Sequence, residues 1–337
     1  MNDMTPDPQL KPAAAPYVRP DVRQFLAYLN ALPGPKTHEI GAAAAREMYR
    51  AMKDIADPPI GALAVIKDLT IPGPAGGIPA RLFDARERRE PGPAVVFFHG
   101  GGFVIGDLDT HASFTAEAAR VLDLPVIAVD YRLAPEAAWP AAPDDSEAAA
   151  RWVAGSPAEL GRSVTGLVLM GDSAGGNLTA VVAMDLRDRP AAVPVLVQAP
   201  IYPATDLGGS YPSFEQFAEG HLLTRDSMNW FADCYAADLQ HQRASPLLYG
   251  LAGMPPAVIV TASLDPIRDQ GRAYAAALVK AGVPVTFREA VGNVHGFITL
   301  RQATPSSAGD VAGYLATVKA AVVEAEGARV MRQAAGA

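Results

Sequence analysis

A single cysteine, Cys234, stands in a chain of 337 residues. An internal disulfide is thereby excluded, and a cysteine-based metal site lacks its ligands. A run of Lys or Arg is also missing: 19% of residues are charged, which is ordinary for a soluble globular enzyme, and the net charge is −8. The footprint of a nucleic-acid-binding surface is therefore missing. No stretch reaches the ~20 uninterrupted apolar residues that a spanning helix needs. Residues 1–20 hold five prolines and no apolar core, which is not the make-up of a secretory signal. These absences lead to the expectation of a soluble, cytoplasmic protein. Half of the residues are apolar, and the length suffices for one large α/β domain with insertions or for two smaller domains.

What is present begins after the proline-broken lead-in. Val22, Phe25, Leu26, Leu29 and Leu32 recur at helical spacing, and a second helix is expected over Glu39 to Ile55 with Thr37 as its N-cap. Two amphipathic helices ahead of any strand need a surface to cover, either in the core layer or as a lid. Strand-like segments follow at Ala62–Ile71, Ile78–Phe83, Ala94–Phe98, Val126–Val129, Val164–Met170, Val193–Ile201, Ala257–Ala262 and Val285–Glu289. Helical segments are expected at Phe114–Leu122, Asp145–Val153, Asn177–Leu186, Gln270–Ala281 and Asp310–Glu324. Eight strands alternating with helices predict an α/β fold with a mainly parallel, doubly wound sheet. The rhythm breaks over 203–247, where no strand is convincing. An amphipathic segment capped by Thr224 puts Met228, Phe231 and Tyr235 on one side, and the whole stretch reads as a cap element.

Between a predicted strand and a predicted helix lies Gly171-Asp172-Ser173-Ala174-Gly175-Gly176. A serine at the apex of a sharp strand-to-helix turn is the G-x-S-x-G nucleophile elbow of α/β-hydrolases. Gly171 and Gly175 let strand and helix approach closely, and the backbone N–H of Ala174 lies at a helix start, where an anion is favoured. The pattern alone matches by chance in about one chain in ten of this length, so its weight depends on partners elsewhere.

A serine hydroxyl needs a base that is itself oriented by a third group, and in this fold the order is Ser, Asp or Glu, His. Of the six histidines, His38, His99 and His111 precede Ser173, and His221 and His241 fall in the irregular stretch. Only His295 follows a late strand, in a Gly- and Asn-flanked loop. Asp265 comes just after the strand Ala257–Ala262, where catalytic groups of open α/β sheets collect. Its competitor Asp269 reads rather as a first-turn helix charge. His99-Gly100-Gly101-Gly102 follows the third strand, where lipases and esterases carry an HGGG oxyanion loop. His99 itself reads as a hydrogen-bonder that shapes the loop.

Taken together, the stretches HGGGFVIGDL at 99–108, DYRLAPE at 130–136, GDSAGGN at 171–177, DPIRDQG at 265–271 and HGF at 295–297 resemble the bacterial hormone-sensitive lipase family of carboxylesterases, in its GDSAG subgroup. The resemblance implies an α/β-hydrolase with nucleophile Ser173, acid Asp265, base His295 and oxyanion donors Gly101, Gly102 and Ala174. It implies a helical cap from residues 1–55 and 203–247 over a core formed by 56–202 and 248–337. It also implies a small-molecule ester substrate with a short-to-medium acyl chain, and no metal or cofactor. A homodimer through the last strand and helix is an expectation that rests on the family alone. Phe103, Met228, Trp230 and Phe231 are candidates for the acyl pocket, although packing of a cap on the core explains the last three equally well. Asp172 reads as a support for the loop, Asp130, Arg132 and Glu136 as a structural charge cluster, and Cys234 as a buried small apolar residue. The same triad would serve an amidase, lactonase or transacylase. A non-catalytic binding protein, such as the plant gibberellin receptors of this wider family, typically lacks the working histidine, which this sequence keeps. Stable membrane association is not expected, because neither cap segment carries the basic face of an interfacial helix.

Overall fold

The computed structural model describes residues 15–335, so most of the proline-broken lead-in lies outside the described residues. Eight strands form one sheet: β1 Val65–Gly73, β2 Gly76–Asp84, β3 Gly92–Phe98, β4 Val126–Val129, β5 Val164–Asp172, β6 Val195–Ile201, β7 Ala257–Leu264 and β8 Val285–Val294. Their order is β1-β2-β4-β3-β5-β6-β7-β8. β2 runs antiparallel to both β1 and β4, and every pairing from β4 through β8 is parallel.

Alternation along the strands decides which helices cover which face. In β3, Val96 and Phe98 belong to the core on one face of the sheet, which also holds Ala149 and Val153 of α4 (Ala141–Ala154), Leu178 and Val182 of α5 (Ala174–Asp188), and Leu278 of α8 (Arg268–Lys280). Their neighbours Val95 and Phe97 belong to the core on the opposite face, with Phe114 of α3 (Ala112–Leu122) and Tyr314 and Leu315 of α9 (Ser307–Ala335). β5 is buried along nearly its whole length, as a central strand covered on both faces must be.

The two early helices are α1 Pro20–Ala31 and α2 Gly41–Ala56. Val22 and Leu26 of α1 pack on Leu264, Val294 and Leu300, and Arg19 ties its start to Asp310 of α9 at 2.6 and 3.0 Å. Within 203–247 the structure has no strand, as the sequence implies. It holds a short helix, α6 (Pro212–Gln216), and α7 (Arg225–Tyr235), whose N-cap Thr224 accepts from the Ser227 N–H at 3.2 Å. Asn177 ties this stretch to α5 near both its ends, donating to the carbonyls of Ala204 and Ala244 at 2.7 and 2.8 Å.

Several boundaries differ from the sequence reading for local reasons. Thr37 opens a single 3-10 turn closed by Glu39, whose carboxylate accepts from the Lys36 N–H at 2.6 Å; α2 starts later, at Gly41. β1 starts at Val65 rather than Ala62, because Arg120 takes the carbonyls of Ile60 and Ala62 that a ladder would otherwise use. α4 starts at Ala141, with Pro143 in the first turn, where a missing N–H costs nothing. Among the described residues no helix is long and apolar enough to cross a membrane.

Candidate active site

Four loops meet where β3, β5, β7 and β8 end, and each carries one of the groups singled out in the sequence. After β5 the chain turns sharply at Ser173, with φ 56° and ψ −115°, a region that residues with a Cβ seldom occupy. The Ser173 N–H donates to the Ile201 carbonyl at 2.9 Å. The turn can be this tight because Gly175 has no side chain: a Cβ there would run into the Phe98 carbonyl.

Asp265 follows β7 immediately and is wholly buried; His295 follows β8 and is 8% exposed. The structure brings all three together. His295 Nδ1 lies 2.7 Å from Asp265 Oδ2, and His295 Nε2 lies 2.8 Å from Ser173 Oγ. The second Asp265 oxygen accepts from the Ile267 N–H at 2.9 Å. A carboxylate only accepts, so Nδ1 carries the ring proton and Nε2 offers its lone pair to the serine hydroxyl. Tyr202 packs its ring 4.6 Å from that of His295 and limits its swing. Asp269, the alternative acid, lies in the first turn of α8 and pairs with Arg268 and the Ser213 N–H instead.

The loop after β3 runs alongside. Gly101 and Gly102 have φ of 118° and 59°, and a Cβ on Gly102 would strike the ring of Phe231. Among the described residues, no protein group accepts from the N–H of Gly101, Gly102 or Ala174. Asp172, next to the serine, is buried and accepts from the Gly100 N–H at 2.8 Å. Burial pushes its carboxyl up, but the nearby His111 and this hydrogen bond outweigh it and hold the group below the ordinary range. Burial, together with His111, pushes His99 down to about 4, so its ring is neutral. It stacks on Tyr131 with centroids 4.4 Å apart.

These groups open on a cavity of about 530 Å³. Its walls are mostly apolar and come from α2, from the 203–247 stretch and from the strand-end loops. Phe103, Met228 and Phe231 line it; Trp230 does not. The helix period explains the difference. Met228, Phe231, Ala232 and Tyr235 fall at i, i+3, i+4 and i+7 on one face of α7, whereas Trp230 leaves that face and packs against Phe231 and the core. Met48, Tyr49 and Met52 of α2 and Thr299 after His295 also line the cavity. The sequence marked Met48 and Met52 as apolar, but helical spacing alone does not tell a wall from a core contact, and Tyr49 carried no signal at all. Of the carboxylates and guanidinium on the wall, Asp172 is held by the Gly100 N–H, and Glu215 and Arg225 pair with each other at 2.6 Å.

Two smaller readings need correction. Asp130, Arg132 and Glu136 do not form a cluster: Arg132 grips Asp145, Glu136 pairs with Arg46 of α2, and Asp130 faces His99 at 3.8 Å. Cys234 is half-buried rather than buried, because it falls on the flank of α7; burial and the neighbouring Asp233 raise its thiol. Among the described residues no group of three His, Cys, Asp or Glu side chains is placed to hold a metal ion.

A mainly parallel sheet with antiparallel first strands and a serine turn after its fifth strand is the α/β-hydrolase fold, and known proteins agree. The sequence pattern of a family described by its α/β-hydrolase fold matches residues 95–299. Esterase LipI of Mycobacterium tuberculosis is 37% identical over 84% of this chain and 89% of its own. Carboxylesterase NlhH of the same organism is 37% identical over 90% of this chain and 97% of its own. An esterase from Pyrobaculum calidifontis superposes with a TM-score of 0.82 at 35% identity, covering 90% of this chain and 98% of the other. The chain belongs to the hormone-sensitive-lipase-like family of α/β-hydrolases.

Proposed function

We propose that this chain is a serine carboxylesterase that hydrolyses uncharged esters of short-to-medium acyl chain through an acyl-enzyme on Ser173. The observation that carries the reading is the unbroken relay Asp265–His295–Ser173, with links of 2.7 and 2.8 Å, opening on a cavity walled mainly by apolar side chains. His295 takes the hydroxyl proton through Nε2 as Ser173 Oγ attacks the ester carbonyl. The carbonyl oxygen becomes an oxyanion facing the N–H groups of Gly101, Gly102 and Ala174, each such donor contributing about 10²–10³ in rate. Asp265 stabilises the imidazolium. His295 then gives the proton to the leaving alcohol oxygen and the ester C–O bond breaks. Water attacks the acyl-enzyme with His295 again as base, releasing the acid and restoring the serine.

In this reading α1, α2 and the 203–247 stretch act as a cap over the strand ends, with 56–202 and 248–337 as the catalytic core. The size of the cavity and its shortage of unpaired charge support a short-to-medium, uncharged acyl group. Labelling with a fluorophosphonate followed by peptide mapping tests the nucleophile. The expected result is one adduct, on Ser173, lost in His295→Ala. Absence of an adduct on folded protein would move the chain to a non-catalytic, ligand-binding role. Comparing an ester with its matching anilide separates esterase from amidase.

A further inference from the structure

Gly101 and Gly102 have no side chains by which their N–H groups could be aimed. Their directions are set by peptide planes, because in a planar trans peptide the N–H points opposite to the carbonyl of the preceding residue. The Gly101 carbonyl accepts from the N–H groups of Val104 and Ile105 at 3.0 and 2.9 Å, so the plane that carries the Gly102 N–H is fixed by backbone alone. The plane that carries the Gly101 N–H is different. Its carbonyl, that of Gly100, is held by a side chain: His99 Nδ1, at 2.8 Å.

A carbonyl only accepts, so Nδ1 bears the proton of this neutral ring. His99 is itself locked, since Tyr131 stacks on it and donates its hydroxyl to the His99 carbonyl at 2.6 Å. On its other side Gly100 donates its N–H to Asp172 Oδ1 at 2.8 Å. Asp172 precedes Ser173 in the chain, faces His111 Nε2 at 3.3 Å and receives the Tyr202 hydroxyl at 3.3 Å. There is no slack at this contact, because a Cβ on Gly100 would overlap the Asp172 carboxylate.

We propose that His99 and Asp172 are positioning residues for acyl transfer: they hold Gly100 from opposite sides, His99 by its Nδ1–H and Asp172 by its carboxylate, and so aim the Gly101 N–H at the place where the oxyanion forms. The inference rests on Ser173 being the nucleophile and assigns roles to two residues outside the triad. It makes an atom-level distinction. An asparagine amide nitrogen reaches the position of histidine Nδ1, whereas a glutamine amide nitrogen reaches that of Nε2. Only the former can hold the Gly100 carbonyl. At 172, asparagine keeps an oxygen for the Gly100 N–H, and leucine keeps the approximate shape but not the acceptor.

The test uses the full chain, with p-nitrophenyl butanoate as substrate and kcat expressed per Ser173 site titrated to completion with fluorophosphonate. His99→Gln and Asp172→Leu should each lower kcat by about 10²–10³ with KM changed less than about threefold, the loss expected for a misaimed oxyanion donor. His99→Asn and Asp172→Asn should each recover at least about tenfold of that loss. Equal kcat in the asparagine variants and their partners would overturn the proposal, as would wild-type kcat per site in His99→Gln or Asp172→Leu. A crystal structure of the wild type phosphonylated on Ser173 does not depend on those variants folding. The phosphoryl oxygen should lie on the Gly101 N–H with both Gly100 bonds intact, and a break in either bond would overturn the proposal. A wild type that is not labelled at Ser173 would instead sink the esterase reading itself.

Discussion

Asp57 and Arg301 face each other as a buried two-pronged pair, with Nε–Oδ1 at 2.8 Å and Nη2–Oδ2 at 2.9 Å. The pair joins the residue after α2 to the segment that follows His295. The Ala56 carbonyl reinforces it by accepting from the N–H groups of Gln302 and Ala303. One wall of the cavity and the segment that follows His295 are thus fastened to the same point. Removing one partner leaves the other charged and buried, a defect that costs about 3–5 kcal/mol. Arg301→Met should lower stability by that amount in urea unfolding; a loss below about 1 kcal/mol would mean that the pair is not what holds the wall.

The serine turn stores strain. At φ 56° and ψ −115° Ser173 sits where glycine is at ease and other residues pay about 1–3 kcal/mol. Glycine gives back about 0.5–1 kcal/mol in chain entropy. Both Ser173→Ala and Ser173→Gly should abolish turnover, yet the glycine variant should be the more stable by about 1 kcal/mol. Thermal unfolding of the two inactive proteins side by side decides this; equal stability would mean that the turn is relaxed.

The wall chemistry predicts selectivity. With Glu215 and Arg225 already paired, the cavity offers no free partner to a charged acyl end, and burying an unpaired charge is heavily disfavoured. A p-nitrophenyl ester whose acyl chain ends in a carboxylate should show kcat/KM at least about 10²-fold below that of the uncharged ester of equal length. Phe231→Ala, which opens the wall beside Gly102, should shift the preferred acyl chain towards greater length. An unchanged acyl-length profile would place the acyl group elsewhere in the cavity.

Stability should also carry a pH signature from a group outside the site. Burial pushes Asp185 on α5 up to about 6 against the pull of Arg243. Its folded value is above its unfolded one, so the folded state holds the proton longer; the contribution is fully present below about pH 4 and is lost as pH rises through about 6. Asp185→Asn lacks this titration. Its stability relative to wild type should therefore improve between about pH 4.5 and about pH 7.5, a range that covers most of the window (about pH 4 to 6) in which the proton is released. A difference that is flat, or that runs the other way, would show that Arg243 keeps the carboxylate charged throughout.

The sheet and the meeting of Ser173, His295 and Asp265 were legible because their signals are local: alternating strands, a Gly-flanked serine, one histidine after a late strand, one aspartate at a strand end. The cap of α7 at Thr224 was legible for the same reason. What escaped depends on contacts between distant segments. Arg120 diverts the backbone that would have lengthened β1, and Arg46 and Asp145 draw Glu136 and Arg132 apart. Tyr49 faces the cavity only because α2 lies where it does, and Trp230 misses it by one step round a helix. Neighbouring residues in sequence can be strangers in space, and periodicity does not say what a face will meet.

The cavity wall and the groups it faces come from different parts of the chain. α2 and the 203–247 stretch add no strand to the sheet, and polar contacts fasten them to the rest of the protein, among them those of Asp57, Arg46, Asn177, Gln270 and Arg243. The groups that form the relay belong instead to the strand ends. A chimaera that exchanges the wall segments should therefore leave the spacing of Asp265, His295 and Ser173 unchanged, provided those fastenings are carried along. The spacing of the three side chains and the shape of the wall around them are thus set by different parts of the chain.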